Sequence, residues 1–567
     1  MDIMSVIDRS REYLITKQRQ DGSIYGEVEY SIWPSAAYLL LLNYLGVHHG
    51  RKMDLIEWII DHQNEDGSWG VITDKSNGDY QNTLMGLAAV KAYMGRDRAE
   101  RAREWVQTFS GDKLLTPFTA ILLSTKEEDI RIPIPIYLTS VKFGKNLGKL
   151  HMIFPKLFSW SIFFYPPSWL GEDIHPSFQI ISVLKRKKDK KKLNYFDKMI
   201  VNRAEKKLTE LQLENGSWSC LALSTMCAIY ALHELDHDVG SAPITKGLQF
   251  LSNLMGQEGN FNLFRLKVWE TSLAVIALTE SDMPPGNPII IAGNFLIRAQ
   301  TEKGGWSFDF PSNVPDNDDT ALSLLALNRI PIEQKSNAVK HGIDYLIRMQ
   351  NDDGGWGAFD RNQCRKDPGK KPPFELLCLM DPSTADVTGH VLQALKDVGG
   401  LDKSSKIIRK AIKWLKNDQI KCGAWWGRWG ICYIYGTSRV LHGLKAVGEN
   451  LHSDYILKAI RWMQEIQNPD GGWGEDIASS RSNEPIFGPS TVEHTSWALL
   501  ALMDVNIDLR SEVIRRGIDF LLKSQMEDGN FPGVHTADGI DPVKYELYSV
   551  IFPLWALSKF QKMIGGS

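Results

Sequence analysis

The chain has 567 residues, of which 43% are hydrophobic and 23% charged; 65 basic against 68 acidic side chains leave a net charge of −3. That mixture excludes a disordered or collagen-like polymer and gives no global attraction to nucleic acid. Six cysteines without paired zinc spacing exclude a disulfide scaffold, while 18 Trp, 17 Tyr and 22 Phe form an unusually large stock of π faces. The length predicts two to four domains. No cleavable signal pattern occupies Met1–Ser10, so a reducing cytoplasmic compartment is the default expectation.

From the N-terminus onward the dominant feature is a repeat. A worn copy, Gln18…Gly22-Ser-Ile24, is followed by intact Gln-x-x-x-Gly-x-Trp phrases starting at Gln63, Gln212, Gln300, Gln350, Gln419 and Gln467. A second worn copy runs from Gln525 through Gly529 to Phe531. Self-similarity of this kind signals stacked supersecondary units. The residues before each phrase, as in Gly342–Gln350, Ala459–Gln467 and Gly517–Gln525, place apolar side chains at i, i+3 and i+4, which predicts a helix with one buried stripe. The glycine stops that helix, because it alone accepts a left-handed cap cheaply. A second, more apolar helix begins near Asn82, Thr271, Thr320 and His494. Each unit is therefore helix, Gly-rich turn, helix. Arrays of such pairs form solenoids or closed α/α barrels, with apolar inner and amphipathic outer helices. No stretch alternates with period two, so the expected class is all-α with no substantial sheet. The repeated Gln and Trp are expected to tie outer helices together rather than to act chemically.

The interval from Gln63 to Gln212 is much longer than the others. It holds Leu150–Gly171, apolar and aromatic but broken by Pro155, Pro166 and Pro167, and too interrupted to span a bilayer. The basic run Lys185–Lys192 follows. It reads either as a solvated loop or as a patch resting on anionic lipid beside a partly inserted apolar surface.

Further on, Asp316, Asp318 and Asp319 crowd three carboxylates at the start of a second-type helix. Acids are common at helix N-termini, but mutual repulsion should keep at least one carboxyl protonated. A magnesium site is another reading of such acids, although the DDxxD spacing is absent. Asp386 and His390 lie four apart, hence on one helix face. An Asp386-anchored His390 imidazolium beside Asp318 would make a neutral carboxylic acid a much stronger donor.

The repeats, together with DNDDTA (316–321), MQNDDGGWGAFD (349–360), DPSTADVTGHVL (381–392), WWGRWGICYIYGT (425–437) and IQNPDGGWGED (466–476), make the chain look like the squalene–hopene cyclase family of class II triterpene cyclases, relatives of the oxidosqualene cyclases. The resemblance covers nearly the whole chain. It implies two α/α barrels in a dumbbell: a smaller inserted domain at 21–250, and a catalytic α6/α6 barrel formed by 1–20 with 251–567, with the cavity between them. It further implies a hydrophobic polyprenoid substrate, peripheral (monotopic) attachment to one leaflet on the cytoplasmic face, no nucleic-acid partner, no cofactor and no metal; a homodimer is one option for the assembly. By the same resemblance Asp318 is the proton donor, flanked by Asp316 and Asp319; His390, held by Asp386, hydrogen-bonds it, and Tyr435 helps restore its proton. Trp160, Trp269, Phe308, Phe359, Trp429, Tyr545 and Tyr548 match the positions whose π faces stabilise the migrating carbocation.

The family's early M-E-x-E-Y and T-T-x-E acids are absent; the chain reads Trp33–Tyr38 and Asn82–Met85 there, and the C-terminal aromatic run is shortened. Initiation is thus expected intact and termination rebuilt, with two to four rings closing. Two further readings stand beside this one: a magnesium-dependent class II cyclase of a prenyl diphosphate, for which no basic pocket is legible, and a non-enzymatic α/α toroid, which gives the Asp318–His390–Asp386 set no purpose.

Overall fold

The computed structural model describes residues 2–73, 77–94, 96–110, a few positions between 176 and 184, 195–363, 369–370, 381–538 and 542–565. The chain divides into two compact units, residues 28–264 and residues 1–27 with 265–567. The segment 150–171, Trp160 and the basic run Lys185–Lys192 lie outside the described residues.

Among the described residues of the larger unit, six inner helices close a ring. Lys267–Glu280 packs on Asn317–Asn328, which packs on Ala385–Asp397, then Tyr433–Ala446, Val492–Asp504 and Tyr548–Gly565, and the last returns to the first. Six outer helices surround them: Ile3–Thr16, Asn287–Arg298, Lys335–Arg348, Lys406–Asp418, Asp454–Glu465 and Glu512–Ser524. Composition sorts the layers. Val492–Asp504 is buried on every face, whereas Lys406–Asp418 buries a stripe including Ile408, Ala411, Ile412 and Leu415 and turns its lysines outward. The architecture is an α6/α6 barrel. Among the described residues of this unit, sheet is limited to two short antiparallel pairs, Trp473–Glu475 against Phe487–Thr491 and Ala537–Asp538 against Pro542–Tyr545.

The smaller unit repeats the same phrase with helices Trp33–Leu45, Lys52–Asp61, Tyr80–Met94, Arg96–Thr108, Tyr195–Glu210, Ala222–Glu234 and Ala242–Ser252. Its core gathers Tyr38, Leu41, Trp69, Leu84, Trp218 and Leu232.

The repeated residues have one structural job each. Gln467 Nε2 donates to Gly471 O (2.8 Å) and to Val513 O at the start of the next outer helix (2.9 Å). Trp473 Nε1 donates back to Met463 O (2.8 Å), while its backbone N donates to Thr495 Oγ1 on the following inner helix (3.0 Å). The same Trp N to Thr Oγ bond joins Trp306 to Thr320, Trp356 to Thr388 and Trp425 to Thr437. At Gly354, φ is +106° and an added Cβ would lie 2.6 Å from Lys410 O, so the turn requires glycine. These bonds fix the register of four inner helices, Asn317–Asn328, Ala385–Asp397, Tyr433–Ala446 and Val492–Asp504, against the turns before them.

Candidate active site

Helix Asn317–Asn328 begins where two Trp turns converge. Asp316 N donates to Trp306 O (2.8 Å) and Asn317 N to Ala358 O (2.7 Å), so the first turn is pinned from both sides. Asp316 caps the helix by accepting from Asp319 N (2.7 Å). Burial pushes both carboxyls upward: Asp316 to about 7, although its hydrogen bonds from Asp319 oppose the rise, and Asp319, repelled also by Asp316, well above the carboxylate range. At least one proton therefore resides in this cluster near neutral pH. Asp318, between them in sequence, points elsewhere. Its Oδ1 lies 2.6 Å from His390 Nδ1, both side chains being almost wholly buried.

The expectation that Asp386 anchors His390 is corrected by the hydrogen bonds. Asp386 Oδ2 accepts from Arg428 N (2.8 Å) and Trp429 N (2.9 Å), and His390 Nε2 has no hydrogen-bond partner. Two backbone N–H groups in a turn satisfy a carboxylate oxygen with less strain than an i, i+4 side-chain contact can. Asp386 thereby positions the Trp429 turn.

A second buried acid, which sequence reasoning missed, finishes that task. Asp381 accepts from Ala358 N, Phe359 N and Asp360 N (3.1, 2.6 and 2.8 Å), and its Oδ1 lies 2.9 Å from Arg428 Nη1. Burial raises its carboxyl and the Arg428 guanidinium opposes that rise. One carboxylate thus holds both Phe359 and the residue before Trp429, whose rings meet edge to face at 5.9 Å. The Arg428 guanidinium stacks 4.7 Å from the Trp429 ring. The motif DPSTADVTGHVL carried the signal, but only Asp386 and His390 were singled out from it.

On the other side, Trp269 stands edge to face with His390 (6.2 Å) and donates from Nε1 to Tyr548 Oη (2.7 Å). Tyr545 packs against Tyr548 at 4.7 Å. Phe308 is half-buried on the turn after Trp306, and its carbonyl accepts from Val268 N, beside Trp269. Tyr435 is buried, 6.3 Å from the His390 ring and 4.8 Å from Trp497. Its helix start is held by Glu475, which accepts from Cys432 N, Tyr433 N and Ile434 N. Trp497 and Phe552, also missed, extend the aromatic wall. Of the expected site residues, all but Trp160, which lies outside the described residues, belong to this barrel. Chemically the arrangement joins a buried acid, a hydrogen-bonded imidazole and a wall of π faces.

Residues 266–562 match the squalene–hopene cyclase C-terminal domain and residues 7–128 the N-terminal domain. The squalene–hopene cyclase of Alicyclobacillus acidocaldarius is 31% identical over 98% of this chain and 97% of its own length.

The chain belongs to the squalene–hopene cyclase family.

It is a terpene cyclase of class II, an enzyme that protonates an alkene of a hydrophobic polyprenoid and directs cationic polycyclisation. Among relatives of this cyclase, sporulenol synthase of Bacillus subtilis is 27% identical over 96% of the chain and 95% of that protein. The structure of ent-copalyl diphosphate synthase from Streptomyces platensis shares the fold, with a TM-score of 0.56 at 17% identity over 99% of this chain and all of that one.

Proposed function

We propose that Asp318 is the acid that starts the reaction, acting on a neutral polyprene, and that the reaction ends after two to four rings. The observation that carries this reading is the 2.6 Å contact between Asp318 and His390 inside an aromatic-walled barrel. An O–H bond of Asp318 breaks, the terminal C=C takes the proton, and a tertiary carbocation forms. A desolvated acid with a hydrogen-bond donor on its developing carboxylate supplies part of the barrier reduction that water cannot. The π faces of Trp269, Phe308, Phe359, Trp429, Tyr545 and Tyr548 then stabilise the cation, each by about 2 kcal/mol when desolvated, without offering a base that would quench it. Tyr435, against the His390 ring, is suited to return a proton to the acid between turnovers.

The shortened terminating end supports an early stop, since both acid motifs near Trp33–Tyr38 and Asn82–Met85 are missing. Purified enzyme should be incubated with squalene, a partly cyclised C35 polyprene and C15 to C30 polyprenes, and the products analysed by gas chromatography. We expect products with two to four rings; pentacyclic hopene as the dominant product, at the rate of the best other substrate, contradicts the early stop.

We also propose attachment to one leaflet on the cytoplasmic side, with the apolar 150–171 segment and Lys185–Lys192 as the contacts. The support is compositional: an interrupted apolar stretch beside a cationic run suits an interface, and the substrate is insoluble in water. Among the described residues no helix is long and apolar enough to cross a membrane.

A further inference from the structure

The Trp–Thr bonds align the inner helices residue by residue. Counting from Thr388 on one helix and Thr437 on the next, the residue two places on is His390 in the first and Arg439 in the second. Arg439 therefore occupies, one helix along, the register place of the imidazole that contacts Asp318. These two helices touch backbone to backbone, since a Cβ added to Gly389 would lie 2.4 Å from Arg439 O, and one added to Gly443 would lie 2.5 Å from Gly389 O.

The guanidinium is in an unusual state. Its residue is only 1% exposed, and among the described residues it forms no ion pair. Its Nε has no hydrogen-bond partner, and Nη2 donates to Ser438 Oγ (2.9 Å). It stacks 5.5 Å from the Tyr435 ring and 5.9 Å from the Trp555 ring. A buried cation without a paired carboxylate is costly, and arginine cannot shed its proton to escape the cost. The groups that act on it electrostatically are Tyr435 and, a turn on, His442 from its own helix; Asp504 from Val492–Asp504; Asp318 from Asn317–Asn328; and Tyr548 from Tyr548–Gly565, where Lys559 pairs with Asp504. On the neighbouring helix Ala385–Asp397, Asp386 is already bonded to the Trp429 turn. Asp504 is itself paired with Lys445 and Lys559 and lies against the His442 ring. Asp318 is the facing acid whose charge changes during the reaction.

We infer that Arg439 is a positioning residue for initiation, a permanent cation that offsets the carboxylate left on Asp318 when its proton passes to the alkene. The inference rests on the reading of Asp318 as the donor. In the step, the O–H bond of Asp318 breaks and a C–H bond forms, leaving one positive charge on carbon and one negative charge on Asp318. Arg439 supplies positive charge whatever the protonation state of His390, because its guanidinium keeps its proton at every pH where the protein is folded.

The test compares Arg439→Gln and Arg439→Lys with the wild type in detergent, by kcat against pH and by product analysis. We expect Arg439→Gln to lower kcat at least about tenfold and to move the basic limb of the profile upward by about one pH unit, with the product mixture unchanged. Arg439→Lys, which keeps the charge, should restore the wild-type limb. An unmoved limb in Arg439→Gln, or an altered product mixture with wild-type kcat, overturns the inference. If Arg439→Gln fails to fold, Arg439→Lys decides alone: a limb displaced despite the retained charge overturns it, an unmoved limb supports it. Asp318→Asn in parallel separates the two claims. If that variant stays active the donor assignment fails; if it is inactive while Arg439→Gln keeps its profile, only the role of Arg439 fails.

Discussion

The distribution of protons over buried carboxyls decides what single residues in this barrel can do. Glu493, fully buried at the start of helix Val492–Asp504, is pushed up to about 7 by burial. The unfolded chain releases this proton near the usual glutamate range, so between there and pH 7 the folded state holds a proton that the unfolded state has lost. Stability from this group is present at low pH and falls as pH rises through 7. Glu493→Gln removes the titration. It should therefore gain about 2 kcal/mol over the wild type at pH 8 and little at pH 5, read from chemical denaturation at the two values. An equal difference at both pH values contradicts the assignment. Such facts were invisible in the sequence, because burial and hydrogen-bond choice are tertiary. Asp386 and His390 were legible as neighbours on one helix face, yet the carboxylate bonds the Trp429 turn instead. Arg439 and Trp497 carried no local signal that set them apart from core residues, whereas Asp381 lay inside the DPSTADVTGHVL motif without a spacing that marked it.

The helices themselves were far more legible. Glycine at each turn, the apolar stripe before it and the fully apolar helix after it are local consequences of left-handed caps and burial, and each recurs several times. The ties made by Gln467 and Trp473 follow the structural role the repeat suggested. What the pattern left open was how closely neighbouring inner helices approach. The helices Ala385–Asp397 and Tyr433–Ala446 meet at Gly389 and Gly443, where backbone touches backbone. Gly389→Ala must push these helices apart, because its Cβ would meet Arg439 O at 2.4 Å. We expect a loss of about 2 kcal/mol in stability together with a larger fractional loss of activity, since His390 and Tyr435 ride on the separated helices. Wild-type stability and turnover in this variant would show that the contact is slack.

At the scale of the whole chain, all-α class and repeat architecture were readable from the residues, whereas ring closure came only with the family resemblance and is borne out by the packing of the first inner helix on the last. Attachment to a leaflet belongs to this scale as well. The protein should pellet with anionic liposomes, and charge reversal across Lys185–Lys192 should weaken pelleting by about 1 kcal/mol for each basic residue near the surface. Unchanged partitioning would return that run to a solvated loop. The central claim is that one carboxylic acid, Asp318, begins the chemistry, and Asp318→Asn examines it most directly. Asparagine keeps the side chain's shape but has no acidic proton to give. The variant should fold with a melting temperature close to that of the wild type and lose at least about a thousandfold in turnover of whichever polyprene the wild type cyclises. Turnover near the wild-type rate by a folded Asp318→Asn protein would contradict the account.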